Sequence, residues 1–250
     1  MKIVALMGSK GAGKDTVAKI LKESVVGYDN VYILSFADSL KKATAEIFSF
    51  DVNMLSGNTP KSREWREIEI KSLSKKIGTY ITPRILLQKI GTDILRKKLY
   101  DGIWIDSVIN KIKKLENSTK GENLYIITDC RFKNEIKAFK DNATFMTIVR
   151  THTAAYKLGI LYHTTKNPFT RLITRVKLRK IHRSEWDWTS AVKDSIIVYN
   201  TKNGIHHLKN ELRKHFVLKQ GATNEVHKSK RRKKSNWKPN GRRGNRSVHS

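Results

Sequence analysis

The chain has 250 residues, with 51 Lys and Arg against 22 Asp and Glu, and a formal net charge of +29. That length allows one α/β domain with a lid or tail, and so positive a field attracts nucleotides, nucleic acid and acidic surfaces. The single Cys130 excludes an intrachain disulfide and a Cys-based metal site; no apolar run has the length of a membrane span and no signal-peptide pattern follows Met1, so a soluble, cytoplasmic protein with no membrane partner is expected.

Ile3–Met7 reads as a buried strand. It leads directly into Gly8-Ser9-Lys10-Gly11-Ala12-Gly13-Lys14-Asp15, a Gly-x4-Gly-Lys loop at a strand-to-helix junction. Glycines there let backbone N–H groups converge on an anion, and the following helix adds its positive end. Lys14 reaches the β- and γ-phosphates of a nucleotide triphosphate. Asp15 stands where Ser or Thr is usual, with Thr16 behind it; Thr16 suits a phosphate contact and Asp15 a Mg²⁺ ion. The competing reading is a glycine turn without a ligand. Val17, Ile20, Leu21 and Val25 mark the helix, which Gly27 ends.

Val31–Phe36 predicts a second strand, followed by a helix from Ala37 to about Phe48. Residues 51–82 are polar and irregular apart from a short helix around Arg63–Ser72. Thr82-Pro83 starts a clear helix, Thr as cap and Pro in the first turn, with Leu86, Leu87, Ile90, Ile94 and Leu95 on its apolar side. Gly91 inside it marks a close approach or a break. Ile105, Val108, Ile109, Ile112 and Leu115 give another amphipathic helix. Leu124–Thr128 is a buried strand ending in Asp129, and a helix spans about 133–140. Thr144–Val149 is a strand ending in Arg150, residues 151–190 are basic with weak periodicity, and Ser195–Tyr199 is the last strand. An Asn203-Gly204 turn leads to a closing helix with Ile205, Leu208, Leu212 and Phe216. Residues 217–250 read as a disordered basic tail, either a solvated tail or one making non-specific nucleic-acid contacts. The alternation predicts an α/β three-layer fold with a central, doubly wound parallel sheet over residues 1–216.

Ligands in such sheets gather at the carboxyl ends of the strands. Those ends carry the loop, Asp38, Asp129 with Arg131, and Arg150. Two carboxylates and two guanidiniums thus converge where phosphates would lie. Asp129 suits a Mg²⁺ ligand, or alternatively a helix cap; Arg131 suits a phosphoryl group, or alternatively a salt bridge to Glu135.

Taken in order, the loop with Asp15-Thr16, Phe36-Ala37-Asp38-x-Leu40-Lys41, Thr82-Pro83-Arg84-x3-Gln88-x2-Gly91-Thr92, Trp104, Thr128-Asp129-x-Arg131-Phe132-x-Asn134-Glu135 and His182-x-Ser184-Glu185 resemble the deoxynucleoside monophosphate kinases of tailed bacteriophages. The resemblance covers about residues 1–216 and implies transfer of the γ-phosphoryl of ATP to a dNMP, with Mg²⁺, for DNA precursor synthesis in a host cytoplasm. It implies that Lys14 and loop residues Gly8 to Thr16 hold ATP, that Lys14, Asp129, Arg131 and Arg150 serve catalysis, and that Asp15 and Asp129 hold the metal. Asp38, Lys41, Arg84, Gln88, Trp104, Glu135, His182, Ser184 and Glu185 would bind substrate, with residues 37–102 as the monophosphate region and 151–190 as a lid. For Trp104 a core position competes with base stacking, and for His182, Ser184 and Glu185 a helix-start cap competes. Related readings are a phosphomevalonate-like or dephospho-coenzyme-A-like kinase, or a nucleic-acid-binding P-loop protein; a homodimer stays open.

Overall fold

The computed structural model describes residues 2–201 and 204–219. The predicted turn residue Asn203 and the tail beyond Lys219 lie outside them. Five strands, β1 (Lys2–Met7), β2 (Asn30–Leu34), β3 (Asn123–Ile127), β4 (Ala143–Val149) and β5 (Ile196–Tyr199), form one sheet in the order β2-β3-β1-β4-β5. Every pairing is parallel; Val4 lies opposite Ile126 on one side and Thr144 on the other. The expected doubly wound sheet is therefore present. Strand β1 is central because its apolar residues face both layers. Ile3, Ala5 and Met7 join Tyr125, Ile127 and Phe145 in one core, while Val4 and Leu6 join Leu124, Ile126, Met146 and Ile148 in the other. The second core is closed by helix α1 (Lys14–Ser24) through Val17, Ile20 and Leu21, and by the final helix (Ile205–Arg213) through Leu208 and Leu212.

The other core lies under helix α2 (Ala37–Phe48) and a run of short elements. The expected helix at Arg63–Ser72 does not form. Instead α3 (Val52–Ser56), α4 (Pro60–Trp65) and α5 (Lys71–Ile77) follow one another. Thr59 and Ser62 make a reciprocal cap that starts α4 earlier, and the N–H of Ile70 donates to the carbonyl of Ile81 at 2.8 Å, which pulls residues 66–70 out of helical bonding. The Thr82-Pro83 start is as predicted: Thr82 Oγ1 accepts the N–H of Ile85 at the head of α6 (Pro83–Gln88).

From Lys89 to Leu99 the same helix continues with wider π-type winding. Gly91 marks both a break and a close approach, because a Cβ there would overlap Leu40 of α2. The wider winding also rotates Ile94 off the predicted apolar side; it is exposed. Helix α7 (Ile103–Ser118) and α8 (Lys133–Phe139) flank β3, and α9 (Ala154–Thr164) and α10 (Pro168–Leu178) form an outer pair after β4. Two 3₁₀ segments, Arg183–Glu185 and Asp187–Asp194, precede β5, and the final helix is α11. The compact unit extends two residues past the predicted boundary at 216, because the N–H of Val26 donates to Val217 and Leu218 is buried opposite Val25.

Candidate active site

The loop after β1 forms because its glycines occupy backbone space closed to other residues. Gly8, Gly11 and Gly13 have φ of 142°, 78° and 102°. A Cβ on Gly8 would also sit 2.5 Å from the carbonyl oxygen of Ile148 on β4. Lys14 Nζ donates to the carbonyls of Gly8 at 2.8 Å and Ser9 at 3.0 Å, folding the side chain back over the loop. Burial and then the nearby Arg131 guanidinium lower its pKa to about 8. Asn200, after β5, donates to the carbonyl of Ala12 at 2.9 Å and braces the far side. Asp15 and Thr16 are exposed on the first turn of α1, and Lys10 at the loop's rim is exposed as well.

Asp129 and Asp38 meet at the end of β2. Asp129 Oδ1 accepts the N–H of Phe36 at 2.8 Å, and its Oδ2 accepts the hydroxyl of Ser35 at 2.7 Å and the N–H of Ala37 at 3.2 Å. Asp129 thus caps α2 rather than the helix that follows it. Asp38 accepts the N–H of Ser35 at 3.2 Å and lies 3.6 Å from Lys111. Both carboxylates order the junction between β2 and α2, and Lys41 stands half-buried one turn along α2.

Arg131 does not pair with Glu135. Its guanidinium lies 3.5 Å from Glu185, while Glu135 Oε2 accepts the backbone N–H groups of Arg131 at 2.8 Å and Phe132 at 3.0 Å. Glu135 Oε1 accepts from the buried Arg96 at 2.7 Å, and Arg96 stacks on the Phe132 ring. The substrate contact expected of Glu135 is corrected accordingly: the carboxylate is 1% exposed and grips the loop that presents Arg131. Burial pushes its pKa up, to about 7, with Arg96 and the Arg131 N–H pulling against that rise. His182 Nδ1 caps the 3₁₀ turn by accepting the N–H of Ser184 and lies 2.8 Å from the Ser184 hydroxyl. For His182 and Ser184 the cap is what the structure contains, with His182 rather than Ser184 as the acceptor; Glu185 alone of the three meets another site residue.

On the opposite side Arg84, in the first turn of α6, pairs with Glu67, and its N–H donates to the carbonyl of Arg66 at 3.1 Å. Desolvation first, then the charges of Arg84 and Arg131, lower the pKa of Arg66. Its Nε is buried without a hydrogen-bond partner among the described residues. Arg66, Arg84 and Arg131 thus share one electrostatic neighbourhood, and Arg131 joins it to Lys14. Gln88 is exposed one turn after Arg84, on the same helix face. Of the two readings of Trp104 the structure contains the core one and not the substrate contact: it is 7% exposed, and its Nε1 donates to the carbonyl of Gly91 at 3.0 Å, so its face is not offered to a base. Arg150 is exposed at the end of β4, on a cleft bordered by Ser9, Lys10, Gly11, Ala12, Tyr156 and Trp188.

Sequence reasoning missed Arg66, Arg96 and Asn200. Asn200 ends a strand beside the loop, so the strand-end rule that found Arg150 could have found it. Arg66 and Arg96 sit among other cations, and nothing in their spacing separates them. Among the described residues no group of three or more His, Cys, Asp or Glu is arranged to hold a metal ion, and no helix is long and apolar enough to cross a membrane.

No curated protein matches the chain. Solved structures similar to it include TT1252 from Thermus thermophilus, 15% identical with a TM-score of 0.42, covering 85% of this chain and 95% of that one. Dephospho-CoA kinase from Campylobacter jejuni is 16% identical with a TM-score of 0.41, covering 86% and 95%. The family model for deoxynucleotide monophosphate kinase matches residues 31–166. That stretch runs from β2 to just past α9 and holds Asp38, Arg66, Arg84, Asp129, Arg131 and Glu135, residues of the candidate site beside the loop. Matched over more than half its length, the chain belongs to the deoxynucleotide monophosphate kinase family.

Proposed function

We propose that the protein transfers the γ-phosphoryl group of ATP to a deoxynucleoside monophosphate, giving a deoxynucleoside diphosphate and ADP. The observation that carries this reading is the glycine loop after β1, which folds the buried Lys14 over the Gly8 and Ser9 carbonyls, with Arg131 presented near it by the turn that Glu135 anchors. Like charges so close repel, and two phosphate-bearing ligands relieve that repulsion. An oxygen of the acceptor phosphate attacks the γ-phosphorus as the bond to the β,γ-bridging oxygen breaks, and the displaced charge stays on ADP. The enzyme's part is positioning and charge stabilisation.

Loop residues Gly8 to Thr16 cradle the triphosphate, with Arg150 and Asn200 at its flanks. Arg131 sits between donor and acceptor. Arg66 and Arg84 receive the acceptor phosphate, and Gln88, one turn on, faces the base. Within this reading residues 37–102 form the monophosphate side, residues 151–190 the lid over the donor, and the basic tail begins after Leu218 rather than at 217. Magnesium commonly takes one or two carboxylates and completes its shell with water and phosphate oxygens. The exposed Asp15 carboxylate fits such an ion, whereas both Asp129 oxygens already accept hydrogen bonds, so Asp129 fits a water-mediated contact. When bound, the ion would neutralise charge on the β- and γ-phosphates.

A coupled ADP-release assay over the four dNMPs, their ribonucleotide counterparts, phosphomevalonate and dephospho-coenzyme A tests the reading. Turnover on at least one dNMP and none on the last two is expected. No turnover on any dNMP would overturn it.

A further inference from the structure

Helix α10 carries an apolar stripe that none of the described residues covers. Phe169, Leu172, Ile173 and Val176 are 69%, 58%, 42% and 50% exposed. They fall at positions i, i+3, i+4 and i+7, so they share one face of the helix. The residues α10 buries are Thr174 and Leu178, and the helix packs against α9. At about 100° per residue the stripe lies roughly opposite those two, pointing away from the packing contact. Four large apolar side chains on the outward face of one short helix form a contiguous patch rather than scattered exposure.

The charges beside the stripe are all of one sign. Arg175 and Arg179 border it on one side and Lys177 on the other, all exposed, and among the described residues none of the three makes an ion pair. No Asp or Glu occurs between Asp141 and Glu185. Long basic side chains flanking an apolar sector can extend sideways while the sector enters a low-dielectric layer.

We infer that α10 is an interfacial helix that docks the protein on an anionic lipid bilayer, with Phe169, Leu172, Ile173 and Val176 inserted and Arg175, Lys177 and Arg179 at the headgroups. The shape of the patch selects this occupant. Helix α9 already covers the opposite side of α10, so a partner groove could not enclose the helix, whereas a planar surface needs only the outward sector. A second copy would set two cationic rims face to face on chains of net charge +29. Nucleic acid would satisfy the cations and offer the stripe nothing apolar. Eleven residues are too short to span, so the contact is peripheral. The inference does not depend on the proposed phosphoryl transfer.

The test is flotation of the full chain with phosphatidylcholine vesicles containing about one third phosphatidylglycerol, against pure phosphatidylcholine. The same is done with the triple variant Phe169→Ser, Leu172→Ser, Val176→Ser, which keeps every cation, the basic tail included. The native chain should bind the anionic vesicles and remain bound at about 0.5 M salt, where purely electrostatic contacts are screened. The variant should lose about tenfold or more of that salt-resistant binding, with its thermal midpoint and far-ultraviolet circular dichroism unchanged. Equal binding by both chains would place the contact in the tail and overturn the inference, as would no binding by the native chain. A patch-dependent loss of dimer on gel filtration, or of duplex DNA binding, without any change in flotation would overturn it in favour of self-association or nucleic acid.

Discussion

Lys14 is held by two carbonyls of its own loop, and burial together with the Arg131 charge disfavours its ammonium form. Its folded pKa of about 8 is below the ordinary 10.5. The unfolded chain therefore binds more protons between those values, and stability from this group rises as pH rises from about 8 toward 10.5. A bound polyphosphate reverses the shift by favouring the ammonium. Nucleotide binding at pH just above 8 should therefore take up a proton, measurable by calorimetry in buffers of different ionisation enthalpy. The uptake should vanish in Lys14→Met. On the proposed reading, in which both stabilise charge at the phosphates, Lys14→Ala and Arg131→Ala should each cost about two orders of magnitude or more in turnover. Steady-state kinetics would refute the assignment if either variant stayed near normal. Arg96→Ala removes the partner of a buried carboxylate that anchors two backbone N–H groups. It should destabilise the fold by about 3–5 kcal/mol in urea titration, with Glu135 left uncompensated.

At the scale of elements, the join between α6 and its π-wound extension sets how this helix meets α2. Gly91 allows Leu40 to approach, and Trp104 closes the gap by donating to the Gly91 carbonyl. Gly91→Ala gains about 1 kcal/mol of helix propensity but overpacks against Leu40, which costs about 1–3 kcal/mol. A lowered thermal midpoint is expected, with KM for the monophosphate rising more than KM for ATP, because Leu40 shares α2 with Asp38 and Lys41. Trp104→Phe separates core from stacking in the same assay. A loss of stability with no selective change in monophosphate KM fits the buried indole, whereas a selective KM rise at native stability would restore the stacking role.

At the scale of the molecule, the described fold ends where Val217 and Leu218 pair with the Val25–Val26 segment. A chain ending at Lys219 should keep the native thermal midpoint and its activity, and any DNA affinity should show a shallower salt dependence. One ending at Lys214 loses Phe216 and the buried Leu218 and should be less stable by about 2 kcal/mol or more. Much of this architecture was legible beforehand. Uninterrupted apolar runs such as Ile3–Met7 and Leu124–Ile127 mean strands covered on both faces, and the glycine loop could follow only the first of them. Local patterns carry that information because period and turn chemistry are properties of neighbours in the chain. The same locality explains the misses. Whether Glu135 touches a substrate or grips the Arg131 loop depends on Arg96, thirty-nine positions away. Whether Trp104 stacks or packs depends on the Gly91 carbonyl, and the break between α4 and α5 depends on a bond from Ile70 to Ile81. The sequence by itself determined the parallel sheet, the phosphate loop and the residue types at the strand ends. Only the tertiary structure decided which charges meet and which are already satisfied, because burial and ion pairing are set by residues far apart in the chain.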